Sequence, residues 1–315
     1  MKKILSALLM LILAFTLSLS LVACGNNDDD GDTADDGDDS EVNTGFHELD
    51  FELSSNGKYY IVSGWGVHLE KEVVIPAEHN GKPVREIKSS CFAKSNLAKE
   101  NMQKITLPDT IEKIDSFAFQ GCANLTSITF GSGLVEIGDY AFQGCTSLKS
   151  IKLNEGLVRI NDGAFMNCAD LETIALPESL TSIGMYAFEG CTTFFENESN
   201  VKNGIVFARV KTSNGMLCWA ISAIDPFMSY ATLYGSTQNT VGIIDGLFAH
   251  NENLGTVYLP NSIKYIGKDA FEGCNNIHTV YCEADTWADI EFADGNEYLE
   301  SLTPQLFNAA SSNQQ

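Results

Sequence analysis

Cysteine is the residue with the widest chemical reach in this sequence, and nine are present. Cys122, Cys145, Cys168, Cys191 and Cys274 stand at one recurring position, where Asn251 takes a further place in the series. Thiolates are preferred zinc ligands, but no Cys-x-x-Cys pair occurs and a straight file of sulfurs offers no tetrahedron. Sulfurs on strands about 4.8 Å apart approach disulfide distance, yet in-register Cβ atoms sit slightly too far apart for an undistorted bridge. Asn251 at the same position points to a small, buried, partly polar niche, so the file reads as inert packed thiols. Cys218 and Cys282 lie off it, and the sequence leaves open whether they pair with each other or with another thiol. His47, His68, His79, His250 and His278 have no recurrent spacing, and no His-Glu-x-x-His, Gly-x-Ser-x-Gly or phosphate loop is present. Carboxylates are plentiful, but no pair stands out for acid–base work. We therefore expect no catalytic residue, no metal and no cofactor.

What positions these cysteines is an internal repeat. Phe119, Phe142, Phe165 and Phe188 follow one another at 23 residues, as do Phe248 and Phe271. Each is preceded five residues earlier by isoleucine: Ile114, Ile137, Ile160, Ile183, Ile243 and Ile266. Six residues after it comes Leu125, Leu148, Leu171, Phe194, Leu254 or Ile277, and nine after it Ile128, Ile151, Ile174, Val257 or Val280. An irregular further copy centres on Ile87 and Phe92, with about four extra residues before Ile105. One such unit cannot close a core alone, whereas stacked units place equivalent apolar side chains in ladders. Segments such as Leu125–Phe130 alternate in and out along a short strand. Glycines after the isoleucine (Gly138, Gly184, Gly267) suit a bend that a side chain would crowd.

The pattern Ile-Gly-x-x-Ala-Phe-x-Gly-Cys-x-x-Leu-x-x-Ile-x-Leu-Pro resembles the BspA-type leucine-rich repeat family. The opening Tyr59–Gly64, Val74-Ile75-Pro76 and Asn80–Val84, and the closing Trp287-x-x-Ile290, resemble the ends of such arrays. The resemblance spans roughly residues 46–295. It implies a leucine-rich repeat solenoid of α/β type, with short parallel strands stacked into one curved sheet and an irregular or short-helical convex side. It also implies a bacterial surface protein, often binding or adhering to other proteins, with no catalytic site to transfer. Residues 192–240 depart from the period, and Gly204–Val210 with Met216–Ala223 suit a hairpin there.

The ends of the chain carry location. Lys2 and Lys3 precede an uncharged run from Ile4 to Leu21 that closes on Leu21-Val22-Ala23-Cys24, similar to the lipobox of bacterial lipoproteins. The resemblance implies acylation of Cys24 and anchoring at the extracellular face of the membrane. Residues 25–45 hold eight aspartates and Glu41 and no aromatic residue, the composition of a disordered tether. The domains expected are a signal peptide (1–24), the tether (25–45), an N-terminal capping β segment (46–83), repeats (84–290) with the insertion at about 192–240, and a C-terminal cap and tail (291–315).

A formal charge of −23 repels nucleic-acid phosphates and anionic headgroups, so the membrane enters only through the lipid anchor. The outward residues of the repeat strands form the first candidate binding strip: Ser127, Thr129, Ser150, Lys152, Thr173, Thr256, Tyr258, Thr279 and Tyr281. The expected partner is an extracellular protein of a host or neighbouring cell. The rival reading is a carbohydrate-binding or carbohydrate-processing lipoprotein using aromatic residues of the insertion, Trp219, Phe227, Tyr230 and Tyr234, as an exposed patch. The opposing expectation for those rings is that they pack the irregular coil.

Overall fold

The computed structural model describes residues 49–66, 70–203, 205–212, 215–223, 228–233, 240–282 and 286–306. The export signal, Cys24 and the acidic tether lie outside these residues. At the N-terminal end β1 (Asp50–Leu53) pairs antiparallel with β2 (Tyr60–Gly64). β3 (Glu72–Val74) is followed by β4 (Glu78–His79), which folds back on β5 (Lys82–Ile87), and β5 runs parallel to β2. From β6 (Lys104–Thr106) onward the chain is a β-solenoid, each coil giving a front strand and a two- to four-residue side strand.

The front strands come from the Leu-x-x-Ile segments. Ser127–Thr129 pairs in parallel register with β6, Ser150–Lys152 with Thr173–Leu176, and Thr256–Tyr258 with Thr279–Cys282. Their central residues point inward: Ile128, Ile151 and Ile174 are buried while Ser127, Thr129, Ser150, Lys152 and Thr173 are exposed. The side strands carry the isoleucine ladder, with Ile114 beside Ile137, Ile137 beside Ile160 and Ile160 beside Ile183. Coils follow one another at the strand spacing of about 4.8 Å, so one phenylalanine per coil falls into a file. Phe92, Phe119, Phe142, Phe165 and Phe188 stack with centroids 4.7, 4.9, 5.1 and 5.5 Å apart in succession, and Phe248 stacks on Phe271 at 5.1 Å. Between Phe92 and Phe119 the surplus residues form the helix α1 (Asn96–Asn101), whose N-cap Ser95 Oγ accepts from the Ala98 amide at 3.2 Å.

Tight turns after each phenylalanine require left-handed backbone, which explains Gly144 (φ +72°), while Asn167 and His250 adopt the same region elsewhere. Gly138 has a different reason. A Cβ there would stand 2.6 Å from the Ser116 backbone nitrogen of the coil before, so the crowding expected at this bend comes from the neighbouring coil.

The hairpin of the insertion has arms Ile205–Thr212 and Gly215–Ala223. Its first arm pairs with the front strand Thr173–Leu176, and its second arm with the side strand Thr240–Ile243. Over residues 205–208 and 218–221 both of its faces are covered. Val206, Ala208, Val210, Trp219 and Ile221 join the N-terminal core, and Ile205, Phe207, Cys218 and Ala220 join the C-terminal one. A continuous apolar run such as Ile205-Val206-Phe207-Ala208 is what a strand buried on both sides demands. The single front sheet expected from the sequence is divided twice: one sheet ends at Ser127–Thr129 and the next begins at Ser150–Lys152, and beyond the hairpin Tyr230–Thr232 starts a third with Thr256–Tyr258, Thr279–Cys282 and Gln305–Leu306.

Candidate functional site

The repeat cysteines are packing residues. All eight from Cys91 to Cys282 are buried, and the seven from Cys91 to Cys274 are free thiols. Cys145, Cys168, Cys191 and Cys274 point Sγ at the carbonyl of the phenylalanine 26 residues earlier, at 3.0–3.3 Å. Asn251, at the equivalent position, donates through Nδ2 to a different carbonyl, that of Met228, at 3.0 Å. Burial pushes the Cys122 and Cys191 thiols up to about 12 and Cys274 to about 11, so these groups stay protonated and poor as nucleophiles or ligands. Among the described residues no group of His, Cys, Asp and Glu is arranged to hold a metal ion.

The front strip runs over three sheets: Ser127–Thr129 belongs to the first, Ser150–Lys152 and Thr173–Leu176 to the sheet that the hairpin joins, and the C-terminal strands to the third. Ser127, Thr129, Ser150, Lys152 and Thr173 lie exposed on the N-terminal side, small hydroxyls and one lysine repeating coil by coil. Arg209 follows them, exposed and opposite Ala175 in register. Thr256, Tyr258, Thr279 and Tyr281 lie on the C-terminal side and are half-buried. There Tyr258 and Tyr281 stack at 4.7 Å, and the exposed Tyr230 stands in register with Thr256.

Of the alternative patch, Trp219 and Tyr230 are among the described residues, and of these two Tyr230 is on the surface, 55% exposed. Trp219 is a correction to it: the indole is 1% exposed and stacks on Tyr265 at 5.9 Å. The reason is Gly242, whose missing side chain leaves the ring its place; a Cβ there would come within 2.5 Å of the indole. Phe207 and Phe194 are likewise buried, and Phe227 and Tyr234 lie outside the described residues.

The sequence reading missed two concave features. One is a cavity of about 200 Å³ at the seam where the hairpin meets the side strands, lined by Ser182, Trp219, Tyr265, Asp245, Glu291 and Phe292 among others. Burial, with the neighbouring Asp162 and Asp269, pushes the Asp245 carboxyl up from 3.8 to about 6, against the opposing hydrogen bond from the Lys268 amide at 2.7 Å. A carboxyl whose folded pKa is raised destabilises the fold once ionised, so stability falls as pH rises from about 4 to about 6. Asp245→Asn keeps an acceptor for Lys268 and loses the charge. It should raise the chemical-denaturation midpoint above that of wild type at pH 7.5, with the gap closing toward pH 4; a gap independent of pH would exclude this account. The second feature is a groove of about 440 Å³ beside β3 at the N-terminal end.

A model of the BspA type leucine rich repeat region matches this chain in six copies, over residues 71–195 and 234–293, leaving the hairpin unmatched. Among solved structures the chain is similar to a Treponema pallidum leucine-rich repeat protein at 21% identity, TM-score 0.47, covering 82% of this chain and 95% of that one. A leucine-rich repeat protein from Bacteroides ovatus is 22% identical with TM-score 0.48, over 78% of this chain and 66% of that one. The pneumococcal vaccine antigen PcpA is 18% identical with TM-score 0.37, over 74% and 68%. No curated protein matches the chain.

Proposed function

The chain belongs to the BspA-type leucine-rich repeat family, and on that premise we propose that it is a lipid-anchored, non-enzymatic binding protein of the bacterial surface whose ligand is an extracellular protein. The observation that carries this reading is the exposed front strip. Ser127, Ser150 and Thr173, with Thr129 and Lys152, repeat coil by coil across it and have no structural duty toward the core. Many shallow contacts along such a strip give affinity by extent, and the acidity of the chain favours a basic or neutral partner. Anchoring rests on Cys24 and the apolar run before it; among the described residues no helix is long and apolar enough to cross a membrane. Acyl chains on Cys24 contribute about 0.8 kcal/mol per buried methylene, and two or three of them hold a protein firmly.

The Tyr258–Tyr281 stack beside exposed Tyr230 favours a second reading, a glycan seated on the C-terminal sheet. The mature chain, a Ser127→Arg/Ser150→Arg/Thr173→Arg variant and a Tyr230→Ala/Tyr258→Ala variant should be presented to extracellular proteins and to a glycan array. The first reading expects protein capture that the arginine variant loses and the tyrosine variant keeps. Glycan binding lost only with the tyrosines transfers the function to the second. Cys24→Ser should move the protein from membranes to the medium or leave an unprocessed precursor, and unchanged membrane extraction would exclude lipidation there.

A further inference from the structure

The N-terminal end of the solenoid is capped on one row of strands and open on the other. β1 and β2 continue the side row beyond β5. The front row begins abruptly at β3, which has β6 on one edge and, among the described residues, no strand on the other. Residues of a strand alternate in the edge they serve. The Lys71 carbonyl accepts from the Lys104 amide at 2.9 Å and the Ile75 amide donates to the Thr106 carbonyl at 3.0 Å. Glu72 and Val74 therefore turn their own amides and carbonyls away from β6, toward the open edge. Val74 is also 71% exposed, more than any other large apolar side chain among the described residues.

That edge borders the groove of about 440 Å³. Leu49, Phe51 and Pro76 give it an apolar floor, with Phe51 stacked on His79 at 4.1 Å and Tyr60 edge-on to the same imidazole at 4.7 Å. Its rim carries the exposed Glu70, Glu72 and Glu78, of which Glu72 is paired with Lys104 at 2.6 Å. Unpaired strand groups, an apolar floor and a carboxylate rim together match one kind of occupant.

We propose that the open edge of β3 docks an extended basic peptide strand, which adds to the front sheet by backbone pairing and places its cationic side chains against Glu70 and Glu78. Strand addition of this kind takes affinity from main-chain hydrogen bonds and selectivity from side-chain pockets. Charge decides against the chain's own residues 25–45 as occupant, because their nine carboxylates would meet the same glutamates. The proposal rests on the reading of this chain as a protein-binding module, and it names how and where a partner segment joins.

The test uses the full mature chain and three blocked, fluorescein-labelled heptapeptides: alternating Lys-Val, alternating Glu-Val, and Lys-Val with alternate amides N-methylated. Anisotropy gives affinity, and hydrogen exchange reports protection of the peptide amides. The Lys-Val peptide should bind with protected amides, and the other two should bind at least about tenfold more weakly. Val74→Pro removes an amide that β6 does not use, a position at which an edge strand tolerates proline; it should lower affinity about tenfold with an unchanged unfolding midpoint. If that variant misfolds, Glu70→Lys/Glu78→Lys decides by exchanging the preference to the Glu-Val peptide. Equal binding of both charge types, binding untouched by these variants, or a concentration-dependent dimer in place of peptide binding would overturn the proposal. The Ser127→Arg/Ser150→Arg/Thr173→Arg variant separates it from the front strip: peptide binding that survives there and fails in Val74→Pro belongs to the edge alone.

Discussion

Phe142→Ala should destabilise the fold by about 3–5 kcal/mol, the range for removing a large ring from a core that cannot close over the gap. The ring is fully buried and lies between two others, 4.9 Å from Phe119 and 5.1 Å from Phe165, both within 5° of parallel. Phe130 meets it edge-on at 6.0 Å. Each such aromatic pair adds about 0.5–1.5 kcal/mol beyond its burial, and the substitution removes several at once. Relaxation is restricted because the coils above and below are fixed by their own strand ladders, Ile114 to Ile137 and Ile137 to Ile160. Stability in a stacked array is a sum of units and neighbour interfaces, so a gap in a central rung weakens two interfaces where a terminal rung would weaken one. Chemical denaturation of wild type and variant measures the loss. A value below about 1 kcal/mol would mean that the phenylalanine file does not bear the core.

The 23-residue period makes most of this architecture legible in the sequence. A residue that recurs every 23 positions and is always apolar has to meet its own copies, and the isoleucine, phenylalanine and cysteine files all do so. Periodicity fails where a segment has no copy to compare with. The insertion advertised its hairpin through turn and strand composition, but its aromatic content was equally consistent with an exposed patch and a packed interior. What decides is a neighbour: Trp219 is buried because Gly242, 23 residues away, vacates the space above its own strand. The same lack of a copy concealed the second division of the front sheet, since nothing in Thr173 or Thr256 indicates which strand lies between them. The open edge of β3 was hidden for a related reason. Val74-Ile75-Pro76 belongs to the lead-in of the array, and whether a strand precedes it in space depends on where β1 and β2 go. Asp245 sits at the bend like Asp139 and Asp162, yet only at the hairpin seam does the bend adjoin the indole-lined cavity.

The hairpin makes Trp219 the residue whose loss tests the junction most severely. Its indole packs into the N-terminal core, while Cys218 and Ala220 on either side of it in sequence pack into the C-terminal one. One strand therefore couples two cores that share no phenylalanine file, Phe188 ending the first and Phe248 beginning the second. Trp219→Ala should lose about 3–5 kcal/mol, and more of that loss should fall on coupling than on either core. Native-state hydrogen exchange separates the two contributions. Amides of the side strands Thr240–Ile243 and Tyr265–Ile266 should lose protection, because the first pairs directly with the hairpin arm and the second stacks behind it. Amides between Phe119 and Phe165 should keep theirs, held by ladders that do not involve the insertion. Uniform loss along the chain would mean one undivided core, and an unchanged midpoint with altered ligand binding would return the indole to the surface role that its aromatic neighbours in sequence first indicated. The physical choice is narrow: a ring lying over a glycine and against Tyr265 either bridges two stacks of coils or is dispensable to both.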